Sequence, residues 1–589
     1  MYISELKLWN FRKYGKSEWD LDQPHLLVPF NEGLNVLIGE NDSGKTAIID
    51  AIKLVLKTHA YEWIKIEDID FFNDSTKLRI EIVFRGLKTD EAKNFTEWLG
   101  WDGVGDQAKP VLRLIYEVER KNDRILPSDI KAGMDDVGYP LNAEARDYLK
   151  STYLKALRDA DVELVAKKNS RVSQILQGHD LFRKKEGEPH EFEGWFAEVN
   201  EKIKNWFEND VAPTEGKSNK EQIKDIIDKF LQEFIKDSFN SKLQLTDPEI
   251  KAILEKISLG IEGVKNLGLG TMNRLYMAAE LLHLKKEWDG LKLCLIEELE
   301  AHLHPQAQMK VVGALLKEKK VQFILTTHSP NLASKVDIDK LIICNGDDVY
   351  PLRKDIDTKL EKENYSYLKR FLDVTKSNLF FAKGVIIVEG WAEEILIPAI
   401  AERLGYDLTK HEVSIVNVGS TAYLHFAKIF QRNDDKILDV PVSIVTDLDI
   451  RPNDNGEFDN EKNQNQRHKI ESSLGDLTDS KIEIYIAEEW TLEWCLFKSD
   501  SLSELFRQSV SEIHSKTKSF KKVDGDWNSN FQRALICKLK KGKGASPLDK
   551  VAVANNLSER IIENETVFIP TDNYIKYLVD AIKHACRVR

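Results

Sequence analysis

The chain has 589 residues, of which 42% are hydrophobic and 31% charged, with a formal net charge of −13; that length exceeds what one core normally supports, so two or more domains are expected. No apolar stretch approaches the roughly 20 residues of a spanning helix, and the opening Met-Tyr-Ile-Ser-Glu-Leu-Lys-Leu-Trp-Asn lacks a basic, then apolar, secretory pattern. No membrane association and a cytoplasmic location are therefore expected, and the acidic balance argues against nucleic-acid binding by the surface as a whole.

Residues 1–95 alternate short apolar strands with one strand-loop-helix unit, in which Leu34–Gly39 leads into a helix over Lys45–Leu56. From 96 to 245 the pattern predicts a helical insertion, a candidate dimerisation region, with helices over Glu193–Phe207 and Glu221–Phe239. Strands return at Leu291–Ile296, Val321–Leu325 and Leu341–Cys344, and close an ATPase part over 246–360. The charged segment Arg353–Glu363 reads as a linker. A second unit over 380–589 follows, with strands at Val385–Val388, Val413–Val418 and Val442–Val445, helices over Ala392–Leu404 and Tyr423–Phe430, and a further strand at Ile482–Ile486. That βαβαβ order predicts right-handed crossovers and a parallel sheet. The fold class is therefore α/β: a P-loop ATPase with a helical insertion, followed by a Rossmann-like parallel-sheet domain.

Gly39-Glu-Asn-Asp-Ser-Gly-Lys45-Thr46 matches G-x-x-x-x-G-K-[ST] with a strand before it and a helix after it. Backbone N–H groups around Gly39, Asn41, Ser43 and Gly44 would cradle phosphates, Lys45 would reach the β/γ oxygens, and the Thr46 hydroxyl would take magnesium. Leu293-Cys-Leu-Ile-Glu297-Glu298 ends an apolar strand in two carboxylates, which suits Glu297 to hold magnesium and Glu298 to polarise the attacking water. Leu267-Gly268-Leu-Gly270-Thr-Met-Asn273 opens a helix with glycines, and the strand Gln322–Thr327 ends in His328, placed to contact the γ-phosphate.

The second unit carries acids where its strands stop. Glu389 ends the first strand and Glu393 lies four residues on, while Asp447 and Asp449 end the third strand and project the same way. Four carboxylates in one crevice repel unless cations sit among them. Two divalent ions would neutralise them and activate water at a phosphodiester, and oxygen ligands favour Mg²⁺ or Mn²⁺. Between Lys516 and Lys550 stand ten Lys/Arg against three acids, a candidate backbone-phosphate surface. The five cysteines form no Cys-x-x-Cys pair and read as reduced thiols.

Taken with Asn10-Phe11-Arg12 and Glu300-Ala-His-Leu-His-Pro305, the ATPase motifs resemble the ABC-type ATPases of recombination and chromosome maintenance. That resemblance implies that Arg12 contacts nucleotide, and that the Gly268–Gly270 loop of one subunit completes the site of another, hence a homodimer or higher homo-oligomer. This chain has Leu299 where that group has proline, a change in loop stiffness that removes no carboxylate. The acidic strand ends resemble a Toprim domain. An ABC-type ATPase ahead of a Toprim domain is similar to the OLD (overcoming lysogenization defect) nucleases, across nearly the whole chain. The likeness implies that Glu493, in Thr491-Leu-Glu493, is a further metal ligand, and that Lys541, in Lys541-Gly-Lys543-Gly, is a cation near the scissile phosphate, with Lys543 its rival.

The expectation is an ATP-regulated, Mg²⁺- or Mn²⁺-dependent DNA endonuclease, serving in defence against phage or foreign DNA, sometimes beside a separately encoded helicase or reverse-transcriptase partner. An ATP-dependent DNA clamp or repair ATPase with a structural acidic sheet is the alternative. A topoisomerase would need a tyrosine on a DNA-gate domain, and a primase a template-binding module; neither is identifiable.

Overall fold

The computed structural model describes residues 1–59, 64–103, 105–122, 124–155, 163–177, 179–182, 188–209, 216–234, 241–243, 249–264, 266–284, 290–419, 422–434, 436–475, 481–521, 527–540, 546–564 and 572–588. Three sheets carry the architecture. The first is antiparallel and contains β1 (Tyr2–Trp9), β2 (Leu26–Pro29), β4 (Lys77–Arg85), β6 (Lys109–Lys121), β8 (Lys131–Ala132) and β9 (Tyr139–Pro140) in the order β2-β1-β4-β6-β8-β9; β5 (Leu99–Asp102) and β7 (Arg124–Pro127) also pair with β6.

The second sheet runs β10 (Thr152–Leu154), β11 (Leu293–Ile296), β12 (Gln322–Thr327), β3 (Leu34–Ile38), β13 (Leu341–Asn345), β14 (Asp348–Pro351), parallel except for the last pair. β3, β11 and β12 are buried at every position, as continuous apolar runs must be when both faces of a parallel sheet are covered. The P-loop strand β3 therefore lies inside the sheet, and the acid-bearing β11 stands two strands away.

The third sheet is wholly parallel: β16 (Val413–Asn417), β15 (Gly384–Val388), β17 (Val442–Thr446), β18 (Ile482–Ile486). The expected βαβαβ unit is present, with the helix Trp391–Arg403 between β15 and β16 and Tyr423–Ala427 between β16 and β17. A Cβ on Gly384 would lie 2.1 Å from the Ala585 carbonyl oxygen, so the helix Lys576–Ala585 closes directly against β15. One apolar core continues from Val36 and Phe323 of the second sheet through Leu379 and Phe380 to Val385, Ile387 and Val442 of the third.

Two expectations are corrected. Residues 99–154, read as the start of a helical insertion, instead contribute six strands to the first two sheets. The run Val-Leu-Arg-Leu-Ile-Tyr-Glu-Val over 111–118 is β-branched and aromatic, and its pairing with β4 and β8 decides its state. Helices occupy Glu191–Asn209 and Asn219–Phe234 as the periodicity predicts; residues 235–239 of the second lie outside the described residues. The linker at Arg353–Glu363 is also packed structure: Arg353 pairs with Asp357 at 2.8 Å, Leu360 is buried, and a helix begins at Lys362. Arg353 and Asp357 satisfy one another within the segment, which composition alone does not disclose. Among the described residues, no helix is long and apolar enough to cross a membrane.

Candidate active sites at two sheet edges

The carboxyl edge of the second sheet assembles the nucleotide motifs. Gly39 and Gly44 have φ of 144° and 94°, and a Cβ would lie 2.3 Å from the Cys344 carbonyl oxygen at the first and 1.9 Å from the Tyr14 hydroxyl at the second. Only glycine forms this cradle, and its shape fits phosphate. Asn41 is exposed in the loop, Ser43 is buried, and Thr46 is exposed on the first turn of the helix Lys45–Leu56. Lys45 Nζ donates to the Gly39 carbonyl and to Ser43 Oγ, each at 3.0 Å. Burial lowers its pKa, while Glu300 and Glu298 pull it back up.

His328 arrives beside this loop from β12. Burial and the Lys45 charge lower its pKa, and the Gly39 backbone opposes them; its own backbone N–H donates to Glu300 at 2.5 Å. Glu297 is 9% exposed, and burial raises its pKa. The Tyr153 hydroxyl donates to its Oε2 at 2.8 Å. Glu298 is exposed, at a φ of 42°, with its N–H donated to Thr326 Oγ1 at 3.0 Å. The acids thus divide into one buried and one solvent-facing group. Gly268 and Gly270 open the helix Leu269–Leu284, where a Cβ on Gly270 would stand 2.8 Å from the His302 carbonyl oxygen. Arg12 is held by Asp50 and Asp70, each at 2.9 Å, so its guanidinium already serves two carboxylates.

The third sheet gathers the other acids. Because Val388 pairs with Val445, Glu389 and Thr446 leave adjacent strands together, and Thr446 Oγ1 donates to Glu389 Oε1. Burial raises the Glu389 pKa, as does Asp449. Glu393 rises to about 7, through burial and then Glu493. Burial and the neighbouring Glu493, Glu393 and Glu389 push Asp447 well up, while its Oδ1 accepts the Leu492 N–H at 2.8 Å. Asp449, at a φ of 59°, donates its N–H to the Trp490 carbonyl at 2.8 Å. Thr491 caps the helix Leu492–Lys498 and thereby turns Glu493 inward, where it is 2% exposed.

Neither Glu493 oxygen accepts a well-formed hydrogen bond from the described residues, although Lys550 Nζ stands 2.8 Å from Oε2. The contact is Coulombic more than directional, and it raises the Lys550 pKa. Lys550 is a cation beside these acids that the motif reading did not assign to the site. Its only sequence signal is its place at the end of the basic run, while Lys541 and Lys543 lie outside the described residues. No three acidic, histidine or cysteine side chains among the described residues are placed to close on one ion. The donor set nevertheless fits hard divalent cations in kind: all oxygen, mutually repelling, with buried carboxylate oxygens lacking a hydrogen bond.

Comparison with known proteins agrees with this division. Residues 380–449 match the family model described as "Overcoming lysogenization defect protein-like, TOPRIM domain", and residues 34–334 match "AAA domain, putative AbiEii toxin, Type IV TA system". Endonuclease GajA of Bacillus cereus is 22% identical over 91% of this chain and 87% of its own length. The OLD nuclease of Thermus scotoductus is 23% identical over 80% of this chain and 86% of its own. A solved C-terminal region of the Burkholderia pseudomallei OLD protein superposes with a TM-score of 0.23 at 23% identity, covering 35% of this chain and 99% of that one. The two domain models, in this order along one chain, decide the assignment: the protein belongs to the OLD family, an AAA/ABC-type ATPase carrying an OLD-like Toprim domain.

Proposed function

We propose that the protein is an ATP-regulated, divalent-metal-dependent DNA endonuclease acting in defence against phage or foreign DNA. The observation that carries this reading is the convergence of Glu389, Glu393, Asp447 and Glu493, with Asp449 and Lys550 beside them, at one parallel-sheet edge. A structural sheet gains nothing from burying mutually repelling carboxylates, whereas cations bound among them would offset the repulsion and favour their ionised form. The names of the two relatives, an endonuclease and a nuclease, agree with it.

In this reading the five acids hold Mg²⁺ or Mn²⁺, which supply water activation and charge neutralisation at a phosphodiester. Thr446 orients Glu389, the Leu492 N–H orients Asp447, and Lys550 pairs with Glu493 while facing the phosphate. In the ATPase, Glu297 and Thr46 hold magnesium, Lys45 and the loop bind phosphates, and Glu298 activates water. Residues 380–589 form the Toprim domain with its basic C-terminal region.

We assign homo-oligomer formation to the insertion, whose helix Glu191–Asn209 exposes Trp195, Phe196, Val199, Ile203 and Trp206. DNA is the proposed substrate, and a separately encoded helicase or reverse transcriptase the proposed class of partner.

The test is cleavage of plasmid DNA with Mg²⁺ or Mn²⁺, with and without ATP, by the full chain and by Asp447→Ala and Glu389→Ala. Cleavage that depends on the metal and is lost in both variants is expected. Cleavage surviving both refutes the assignment, and DNA retention without cleavage by the unaltered chain supports the clamp.

A further inference from the structure

Tyr153 belongs to no nucleotide motif, yet its hydroxyl contacts the buried ATPase carboxylate directly. It sits in the middle of β10, a three-residue edge strand whose register places Tyr153 beside Leu295 and Leu154 beside Ile296. The Leu154 carbonyl accepts the Glu297 N–H at 2.9 Å, and the Tyr153 hydroxyl donates to Glu297 Oε2 at 2.8 Å. Backbone and side chain of one short strand therefore hold the same residue. The ring is 8% exposed, so this hydrogen bond is shielded from water.

The other end of the phenol is tied to the P-loop helix. Lys53 Nζ lies 3.7 Å from the centre of the Tyr153 ring and 3.0 Å from Asp50 Oδ1, and Asp50 pairs with Arg12 at 2.9 Å. A cation over the face of a phenol draws electron density from the ring and makes the hydroxyl a stronger donor. A phenylalanine would fill the same core volume. What only tyrosine adds is a neutral donor, which fixes the orientation of the carboxylate and leaves its negative charge in place.

We propose that Tyr153 is a positioning residue of the ATPase, holding Glu297 in the orientation from which it binds the magnesium of MgATP. The proposal rests on Glu297 being the magnesium carboxylate. Outer partners of metal-binding groups commonly change metal affinity by about 10- to 100-fold when removed.

The experiment uses the full chain and compares it with Tyr153→Phe, Glu297→Gln and the double variant. Binding of a fluorescent ATP analogue is titrated in EDTA and at a series of Mg²⁺ concentrations, and ATP hydrolysis is followed over the same series. In Tyr153→Phe, the Mg²⁺ concentration for half-maximal binding and hydrolysis rises about tenfold. Binding in EDTA stays where it is, and the double variant loses nothing beyond Glu297→Gln. An unchanged Mg²⁺ dependence in Tyr153→Phe overturns the proposal, and so does an equal loss of binding in EDTA and in Mg²⁺, which marks a purely structural role. If the unaltered chain binds the analogue equally well with and without Mg²⁺, or if Glu297→Gln leaves the Mg²⁺ dependence untouched, the reading of Glu297 itself fails.

Discussion

Glu297 and Glu493 are both carboxylates buried near the carboxyl edge of a parallel sheet, but the protein holds them with opposite chemistry. Glu297 accepts from a neutral phenol at 2.8 Å, whereas Glu493 faces the Lys550 ammonium at 2.8 Å. A neutral donor orients a carboxylate without cancelling its charge, so it suits a site whose cation arrives with a nucleotide. A cationic partner offsets charge, so it suits a crevice where several acids repel one another whatever else is bound. The Toprim edge also lies on a core continuous with the ATPase sheet, so the two edges are parts of one packed body with different electrostatic demands.

This contrast can be broken from several sides. The largest effect is expected at the exposed ATPase acid: Glu298→Gln lowers ATP hydrolysis by about 10²- to 10⁴-fold, the range of general-base contributions, with ATP binding retained. Phosphate release and nucleotide titration check it, and a variant that still turns over normally moves the water-activating role elsewhere. Next, Asp447→Ala or Glu389→Ala lowers metal-dependent plasmid cleavage at least about 100-fold, beyond what removal of an outer partner costs. ATP hydrolysis by the same variants stays within about twofold if the two edges are chemically independent.

Smaller effects sharpen the comparison. Lys550→Met leaves Glu493 buried beside other acids; with Lys550 43% exposed, solvent screening limits the loss of stability to about 1 kcal/mol. The deficit is expected in EDTA and shrinks when Mn²⁺ is added, as chemical denaturation will show. A loss that Mn²⁺ deepens would contradict the donor set drawn here.

The smallest effect is a pH slope. Glu393 binds its proton more tightly in the folded chain, with a pKa of about 7 against an ordinary 4.5, so below pH 4.5 it costs nothing. As the pH rises from 4.5 toward 7, the unfolded chain ionises and gains relative to the folded one. In EDTA the thermal midpoint of the unaltered protein falls across that window, and Glu393→Gln flattens the fall.

Much of the fold and of both edges was legible in the chain itself. Gly39, Gly44, Lys45 and Thr46 are a local pattern, because a phosphate cradle is built from consecutive backbone groups. Glu297, Glu389 and Asp447 could be singled out as candidates because each ends an apolar run in a carboxylate. Where the reading failed, pairing outweighed pattern. Residues 111–118 follow their β4 and β8 neighbours into a sheet, and the charges of Arg353 and Asp357 meet each other instead of solvent. The pairing of Arg12 with Asp50 and Asp70 was likewise not legible in the chain.

By itself, the order of residues determined which groups could do chemistry: the loop with the pattern of a phosphate cradle, the strands that end in acid, and the sequence of the two domains. Only the tertiary structure decided what those groups face. Tyr153 stands 144 residues from Glu297, and Lys550 reaches Glu493 from a helix that begins after the last described strand. A side-chain donor or cation has no periodicity that announces its partner, since the partner is chosen by how sheets and helices stack, and that distance in space is not written in distance along the chain.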